Sequence, residues 1–283
     1  MTDGLGAMRA RLRTDKPTPA RMYDYYLGGK DNFKVDRDAI ESIDPRVSNT
    51  LKNAAWENRR FMWRAVDYLA RERGITQFID IGSGLPTVRS THEVAQDVNP
   101  DARVVYVDND PIVLSHGQAL LAKDGNTAIV EADIRDTAAI LDARETRNLI
   151  DFAQPVALLL VAVLHFIPSP GYPRYVPGDI TPGEIAAGFL DRVAPESCLV
   201  ISHATRHGAD MEMVAGVEEL YTEATSPLLF RTHDEIAELF TGWRVLPPGV
   251  VRPWQWPTED TASPRGVYQL AGIAVKDDDE QAG

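Results

Sequence analysis

The 283 residues carry 42 acidic against 29 basic side chains, a net charge of −13, with 44% hydrophobic and 25% charged residues. Such an acidic balance makes nucleic acid a poor partner, because a phosphate backbone is repelled unless basic residues gather on one face. No apolar run approaches the roughly 20 residues of a membrane helix, residues 1–17 lack the apolar stretch of a signal peptide, and Cys198 is the single cysteine, so a membrane span, a disulfide and a cysteine-built zinc site are all disfavoured and a reducing, cytoplasmic setting is expected.

The chain is long enough to bury one large α/β core with an appended arm. Residues 17–44 form a Tyr- and Gly-rich arm in which Gly28 and Gly29 are placed to stop a helix begun near Ala20. Residues 45–74 predict one long helix or two, with Trp56, Phe61, Met62, Val66 and Leu69 on the apolar face. From Gln77 onward, short apolar runs alternate with amphipathic segments: QFIDI, ARVVYVD, TAIVEAD, VALLLVAV and SCLVIS predict strands buried on both faces, and 87–98, 111–123, 136–152 and 181–193 predict helices. Pro111 suits a first helical position, and Thr181 with Glu184 has the spacing of a capping box. A helix over 232–240 then precedes WRVLPPGVV and VYQLAGIAVK, two strands with no helix between them, which predicts an antiparallel last strand. The expected organisation is a helical arm over 1–74, a mostly parallel α/β domain over 75–276 and a solvated acidic tail over 277–283.

The chemistry concentrates at strand ends. In Phe78-Ile-Asp-Ile-Gly-Ser-Gly-Leu-Pro-Thr87, a strand turns through Gly82, Ser83 and Gly84, where a ligand can approach the backbone. Asp80 stands two positions before the first glycine, where it can face an ammonium group, and Thr87 replaces the third glycine of a dinucleotide fingerprint. A pyrophosphate is repelled by that carboxylate; the amino-acid end of S-adenosylmethionine is not. Valine at position 82 is accordingly expected to fill the space of the methionine tail. Asp108, followed by Asn109, closes the second strand 24 residues beyond Gly84, the place for an acid that accepts from ribose hydroxyls, and this feature leaves NAD open. Asp133 and Ile134 end the third run, an acid for the adenine amine and an apolar side chain for its ring.

The ordered set FIDIGSG, VVYVDND, EADIRD and VALLLVAVLHFIP resembles motifs one to four of class I S-adenosylmethionine-dependent methyltransferases, and the arm PARMYDYYLGGKDNF resembles an actinobacterial methyltransferase family once carried as a domain of unknown function. The resemblance implies a Rossmann-like α/β fold with a seven-stranded, mostly parallel sheet and an antiparallel last strand. It implies S-adenosylmethionine bound at Asp80, Gly82, Gly84, Asp108, Asp133 and Ile134, with no metal.

A methyl acceptor that is a small molecule is expected, with oxygen favoured because the fourth strand leads into Ala-Val-Leu-His-Phe-Ile rather than an Asp/Asn-Pro-Pro-aromatic loop; the sequence fixes no oligomeric state. His165 and His203 follow strands on the catalytic rim and are the candidate general bases, with structural hydrogen bonding as the competing role. Arg206 and His207 are candidates to orient an acidic acceptor, and the aromatics of 172–175 and 254–256 to wall an apolar one. In the arm, Tyr26, Gly29 and Asn32 are candidate ligand contacts and Phe33 a candidate wall of a lid that excludes water. The alternatives are an NAD-dependent oxidoreductase and a regulator that binds S-adenosylmethionine without turning it over.

Overall fold

A computed structural model describes residues 14–121, 125–257 and 266–278. Seven strands form one sheet in the order β3-β2-β1-β4-β5-β7-β6: β1 Gln77–Ile81, β2 Arg103–Asp108, β3 Thr127–Glu131, β4 Ala157–Val161, β5 Cys198–Ala204, β6 Arg244–Val245 and β7 Gln269–Val275. β1 to β5 pair in parallel, whereas β7 runs antiparallel to both β5 and β6. This is the mostly parallel sheet with an antiparallel last strand that the strand pattern predicts.

Alternate strand residues enter opposite cores, because successive side chains leave a strand on opposite faces. Ile79, Ile81, Val105, Val107, Leu158 and Leu160 face one cluster, which Ile140, Ile185 and Phe189 complete. Phe78, Val104, Tyr106, Ala157 and Leu159 face the other, covered by Phe61, Met62, Ala65, Val66 and Leu69 of one long helix. That helix, α3 (Pro45–Glu72), begins at an Asp44 cap with Pro45 at its first position. Its five core side chains are at most 3% exposed, each contributing about 1.5–3 kcal/mol of burial for the larger ones.

The arm folds into α1 (Pro19–Tyr26) and α2 (Lys34–Glu41). Thr18 caps α1, and Gly28 ends the turn that follows with φ +84. A buried pair ties the two helices: Arg21 Nε donates to Asp36 Oδ2 at 2.7 Å, and Asp36 also accepts from the Thr18 and Phe33 backbone N–H groups. Met22, Tyr26 and Leu27 of α1 share a third core with Met213, Val214, Val217, Leu220 and Tyr221.

Those last residues belong to a helix absent from the sequence expectations, Met211–Thr222, capped by Asp210. Further boundaries differ. The first crossover helix, α4, is Thr91–Val98, because 82–90 is loop. The next, α5, is described over Pro111–Leu121, and its expected end at 123 lies outside the described residues. The expected 136–152 helix is two, α6 (Thr137–Asp142) and α7 (Arg144–Leu149), separated where Ala143 turns to ψ 140. WRVLPPGVV pairs as β6 only at Arg244–Val245, with a separate bridge from Val251 to Ala271, since Pro247 and Pro248 cannot donate to a ladder. The helix after β4 is α8 (Pro182–Leu190), with the expected Thr181–Glu184 capping box present. The helix between β5 and β6 is α9 (Met211–Thr222), and α10 is His233–Ala237. Of the acidic tail, 279–283 lie outside the described residues. No helix among the described residues is long and apolar enough to cross a membrane.

Candidate functional site

Parallel pairing brings the carboxyl ends of β1, β2 and β3 to one edge, with Asp80 opposite Tyr106 and Asp108 opposite Glu131 in register. A cleft follows that edge. Asp80, Gly82, Ser83, Gly84, Asp108, Asn109, Asp133 and Ile134 all line it, so the strand-end residues singled out in the sequence are gathered in one place.

The glycine-rich turn is held from below. Gly82 and Ser83 donate backbone N–H groups to Val107 O, at 2.8 and 3.2 Å. Gly82 has φ +72, and a Cβ there would stand 2.5 Å from Val163 Cγ2. A side chain at 82 would therefore strike Val163 in the turn after β4, and both residues line the cleft. Gly84, φ +67, has nothing within 4 Å of a built Cβ, so the open side of the turn is at this second glycine.

Asp108 accepts from Gly84 N and Asp110 N, both at 2.9 Å, and so fixes the turns after β1 and β2. Burial pushes its carboxyl up to about 6 against the pull of those backbone hydrogen bonds. Asp80 accepts from Thr91 Oγ1 at 2.6 Å, and its carboxyl is raised by burial. Asp133 stands at the rim, 3.0 Å from Arg135 Nη1, and accepts weakly from Asn109 Nδ2 at 3.5 Å, while Ile134 is 8% exposed beside it.

His165 lines the cleft, 3% exposed. Its Nδ1 accepts from Ala204 N at 3.4 Å, which leaves Nε2 carrying the proton, and burial with the nearby Arg231 charge pushes its pKa down to about 3. His203 is fully buried behind it and is not among the residues that line the cleft. Its Nδ1 donates to Ala204 O at 2.6 Å and its Nε2 accepts from Arg231 Nη1 at 2.7 Å, so both ring nitrogens are occupied. Arg231 reaches on to Ile167 O and Ser169 Oγ, fastening the segment after β4.

From the arm, Tyr26 lines the cleft, together with Thr18, Pro19, Ala20 and Tyr23. Gly29 and Asn32 do not; they surround Asp24. Asn32 Nδ2 donates to Asp24 Oδ2 at 2.8 Å, and a Cβ on Gly29 would stand 1.9 Å from Asp24 Oδ1. Phe33 packs on Leu85, Ile112 and Val113, against the outside of the glycine-rich loop. Trp256 is in the sheet core against Phe61 and Tyr68, and Tyr172 and Arg206 bond each other and Phe230 O, so neither aromatic stretch reaches the cleft.

The sequence reading missed several lining residues of α3, among them Leu51, Asn58, Arg59 and Met62, and Phe166 and Tyr221 opposite them. Asn58 joins the layers: its Nδ2 donates to Tyr23 OH at 3.1 Å, its Oδ1 accepts from Ser202 Oγ, and Ser202 Oγ in turn accepts from Ala162 N at 3.0 Å. A polar residue on an otherwise apolar helix face was the available signal. Among the described residues no group of three or more His, Cys, Asp or Glu is placed to hold a metal.

The donor set suits S-adenosylmethionine. A buried acid for an ammonium, a buried acid for a ribose diol, and an acid with an apolar neighbour for adenine lie along one edge, whereas a second phosphate would meet the same carboxylates.

Comparison with known proteins agrees. A candidate methyltransferase from Thermobifida fusca YX is 41% identical over 93% of this chain and 96% of its own, with a TM-score of 0.81. A duf574 family protein from Streptomyces avermitilis MA-4680 is 39% identical over 94% and 99%, with a TM-score of 0.83. An ornithine lipid N-methyltransferase from Singulisphaera acidiphila is 26% identical over 163 residues, 56% of this chain and 69% of that protein. The model of the S-adenosyl methyltransferase family matches residues 6–277, and the chain belongs to that family of S-adenosylmethionine-dependent enzymes.

Proposed function

We propose that the chain methylates a small molecule that lays an apolar, largely aromatic face against the arm, with oxygen as the favoured attacking atom. The observation that carries this reading is the composition of the cleft beyond the strand ends. There Tyr23 and Tyr26 of α1, Leu51 of α3, Phe166, Tyr221 and Leu228 form a wall continuous with the cofactor's acids.

S-adenosylmethionine supplies a methyl carbon already activated by its sulfonium, so the protein's work is alignment and exclusion of water. Asp80 and Asp108 hold the two ends of the cofactor's sugar and amino-acid portion, and the Gly84 backbone allows close approach. The arm is the cover: α1 closes the upper side with Tyr23 and Tyr26, and α2 braces the loop through Phe33. His165 lines the cleft with its proton on Nε2 and suits a donor that orients the acceptor rather than a base. Acceptors with a lone pair available near neutral pH, such as an acidic phenol, fit best.

An amine on a lipid is the second reading, favoured by the likeness to the ornithine lipid N-methyltransferase. Incubation with methyl-labelled S-adenosylmethionine and a panel of phenols, aromatic amines and ornithine lipid decides. Label on a phenolic oxygen supports the first reading and label on the lipid amine the second. Binding of the cofactor with no label transferred to any acceptor points to a regulator and overturns both.

A further inference from the structure

α3 carries five arginines, and four are spent on neighbours. Arg46 bonds Asp44, Arg60 pairs with Glu57, Arg64 donates to the Trp256 and Pro253 carbonyls, and Arg71 holds Asp67. Arg59 is the exception. Its Nε is buried without a hydrogen-bond partner, and among the described residues its guanidinium forms no ion pair. A buried donor left unmatched is costly. An anionic group in the cleft would match it.

Arg59 lines the main cleft and also a second cavity beside the glycine-rich loop, and Asp80, Ser83 and Gly84 line both as well. The guanidinium is steadied by the Tyr23 ring, 5.7 Å from its centroid. Arg59 is near enough for its charge to act on Asp80, yet the two make no ion pair; Asp80 spends one oxygen on Thr91 Oγ1. An unpartnered guanidinium and a half-satisfied carboxylate, separated across the glycine-rich turn, complement a zwitterion.

We propose that Arg59 binds the α-carboxylate of the cofactor's methionine end while Asp80 takes its α-ammonium, an assignment that rests on the S-adenosylmethionine reading of the cleft. The planar fork of the guanidinium matches a carboxylate in two parallel hydrogen bonds, which lysine cannot reproduce. Arg59 is thus what distinguishes the intact cofactor from adenosyl compounds that lack the acid.

Two probes isolate this contact: S-adenosylmethionine, and its decarboxylated form, which keeps adenosine, sulfonium and ammonium. Wild-type protein binds the first roughly ten- to hundredfold more tightly, the range of a charge-assisted contact. Arg59→Gln loses that preference, binding the decarboxylated probe as wild type does and S-adenosylmethionine roughly ten- to hundredfold more weakly. Arg59→Lys recovers part of the discrimination, and the melting temperature of each variant reports its folding. Equal weakening of both probes in both variants makes Arg59 a structural residue and overturns the assignment, as does unchanged affinity for S-adenosylmethionine with a raised KM for the acceptor. If wild-type protein binds neither probe, the cofactor reading itself fails, and the assignment with it.

Discussion

Thr87 Oγ1 donates a 2.6 Å hydrogen bond to Asp24 Oδ1, tying the segment after the glycine-rich turn to the first helix of the arm. Asp24 is 1% exposed and also takes the Asp31 backbone N–H at 3.0 Å and the Asn32 amide at 2.8 Å. One carboxylate therefore sets both the fold of the arm and its seat over the cofactor loop. Asp24→Ala is expected to remove three hydrogen bonds, costing about 2–3 kcal/mol, with a lower melting temperature and weaker binding of S-adenosylhomocysteine. Thr87→Val removes a single contact and is expected to cost about 1 kcal/mol. Chemical denaturation of the two variants checks this; equal stability of Asp24→Ala and wild type would detach the arm from the loop.

Asp108 sets a pH dependence. Burial raises its carboxyl from 3.8 to about 6, so the folded chain holds that proton more tightly than the unfolded chain. Its ionisation therefore opposes folding above pH about 6, and that cost is gone below pH about 4. Binding has the opposite requirement, since the ribose contact needs the ionised acid. Affinity for S-adenosylhomocysteine is expected to be full near pH 7.5 and to fall up to about tenfold per unit below pH 6. Asp108→Asn should bind roughly ten- to hundredfold more weakly at neutral pH and show a flatter profile. A profile identical to wild type in the variant assigns the dependence to another group.

Gly82 and Val163 meet across the gap between β1 and β4. Gly82→Ala combines a φ of +72 with a Cβ 2.5 Å from Val163 Cγ2. The conformation alone costs about 1–2 kcal/mol in any residue with a Cβ, and the clash adds to it. Gly82→Ala with Val163→Ala should regain part of the lost melting temperature, because the second change removes the clash and not the strain. Full recovery would mean that φ is immaterial, and no recovery would place the damage elsewhere.

His165 is predicted to contribute no basic limb to the rate. A general base supplies roughly 100- to 10,000-fold, and an imidazole held near 3 with its lone pair on Ala204 N cannot do so. His165→Gln retains a donor and is expected to lower kcat less than about tenfold, with the pH profile unshifted. A loss beyond about a hundredfold, together with disappearance of a limb near pH 6.5, would make this histidine the base after all.

The sheet was legible because its signals are local. A strand buried on both faces is a short apolar run, and the acids at 80, 108 and 133 stand where a run stops. The helix Met211–Thr222 was not, although Asp210 and the spacing of Met213, Val214, Val217, Leu220 and Tyr221 mark it, because the segment 205–231 invited a reading by its charged residues instead. The cleft's far wall was hidden for a different reason. Arg59 and Asn58 are separated from Asp80 by more than 20 positions and look like ordinary helix residues until α3 is laid on the sheet. The same applies to Gly29 and Asn32, whose residue types suit a ligand site but whose partner is Asp24. Tertiary neighbours, not residue chemistry, decided those roles.

The central claim is that the strand-end acids form a site for an adenosyl amino acid. Calorimetric titration of the intact chain with S-adenosylhomocysteine and, in the same buffer, with NAD tests it most directly. The account predicts saturable binding of S-adenosylhomocysteine that Asp108→Ala weakens roughly ten- to hundredfold, and no comparable binding of NAD. Preference for NAD, or S-adenosylhomocysteine affinity unchanged in a folded Asp108→Ala protein, would contradict it.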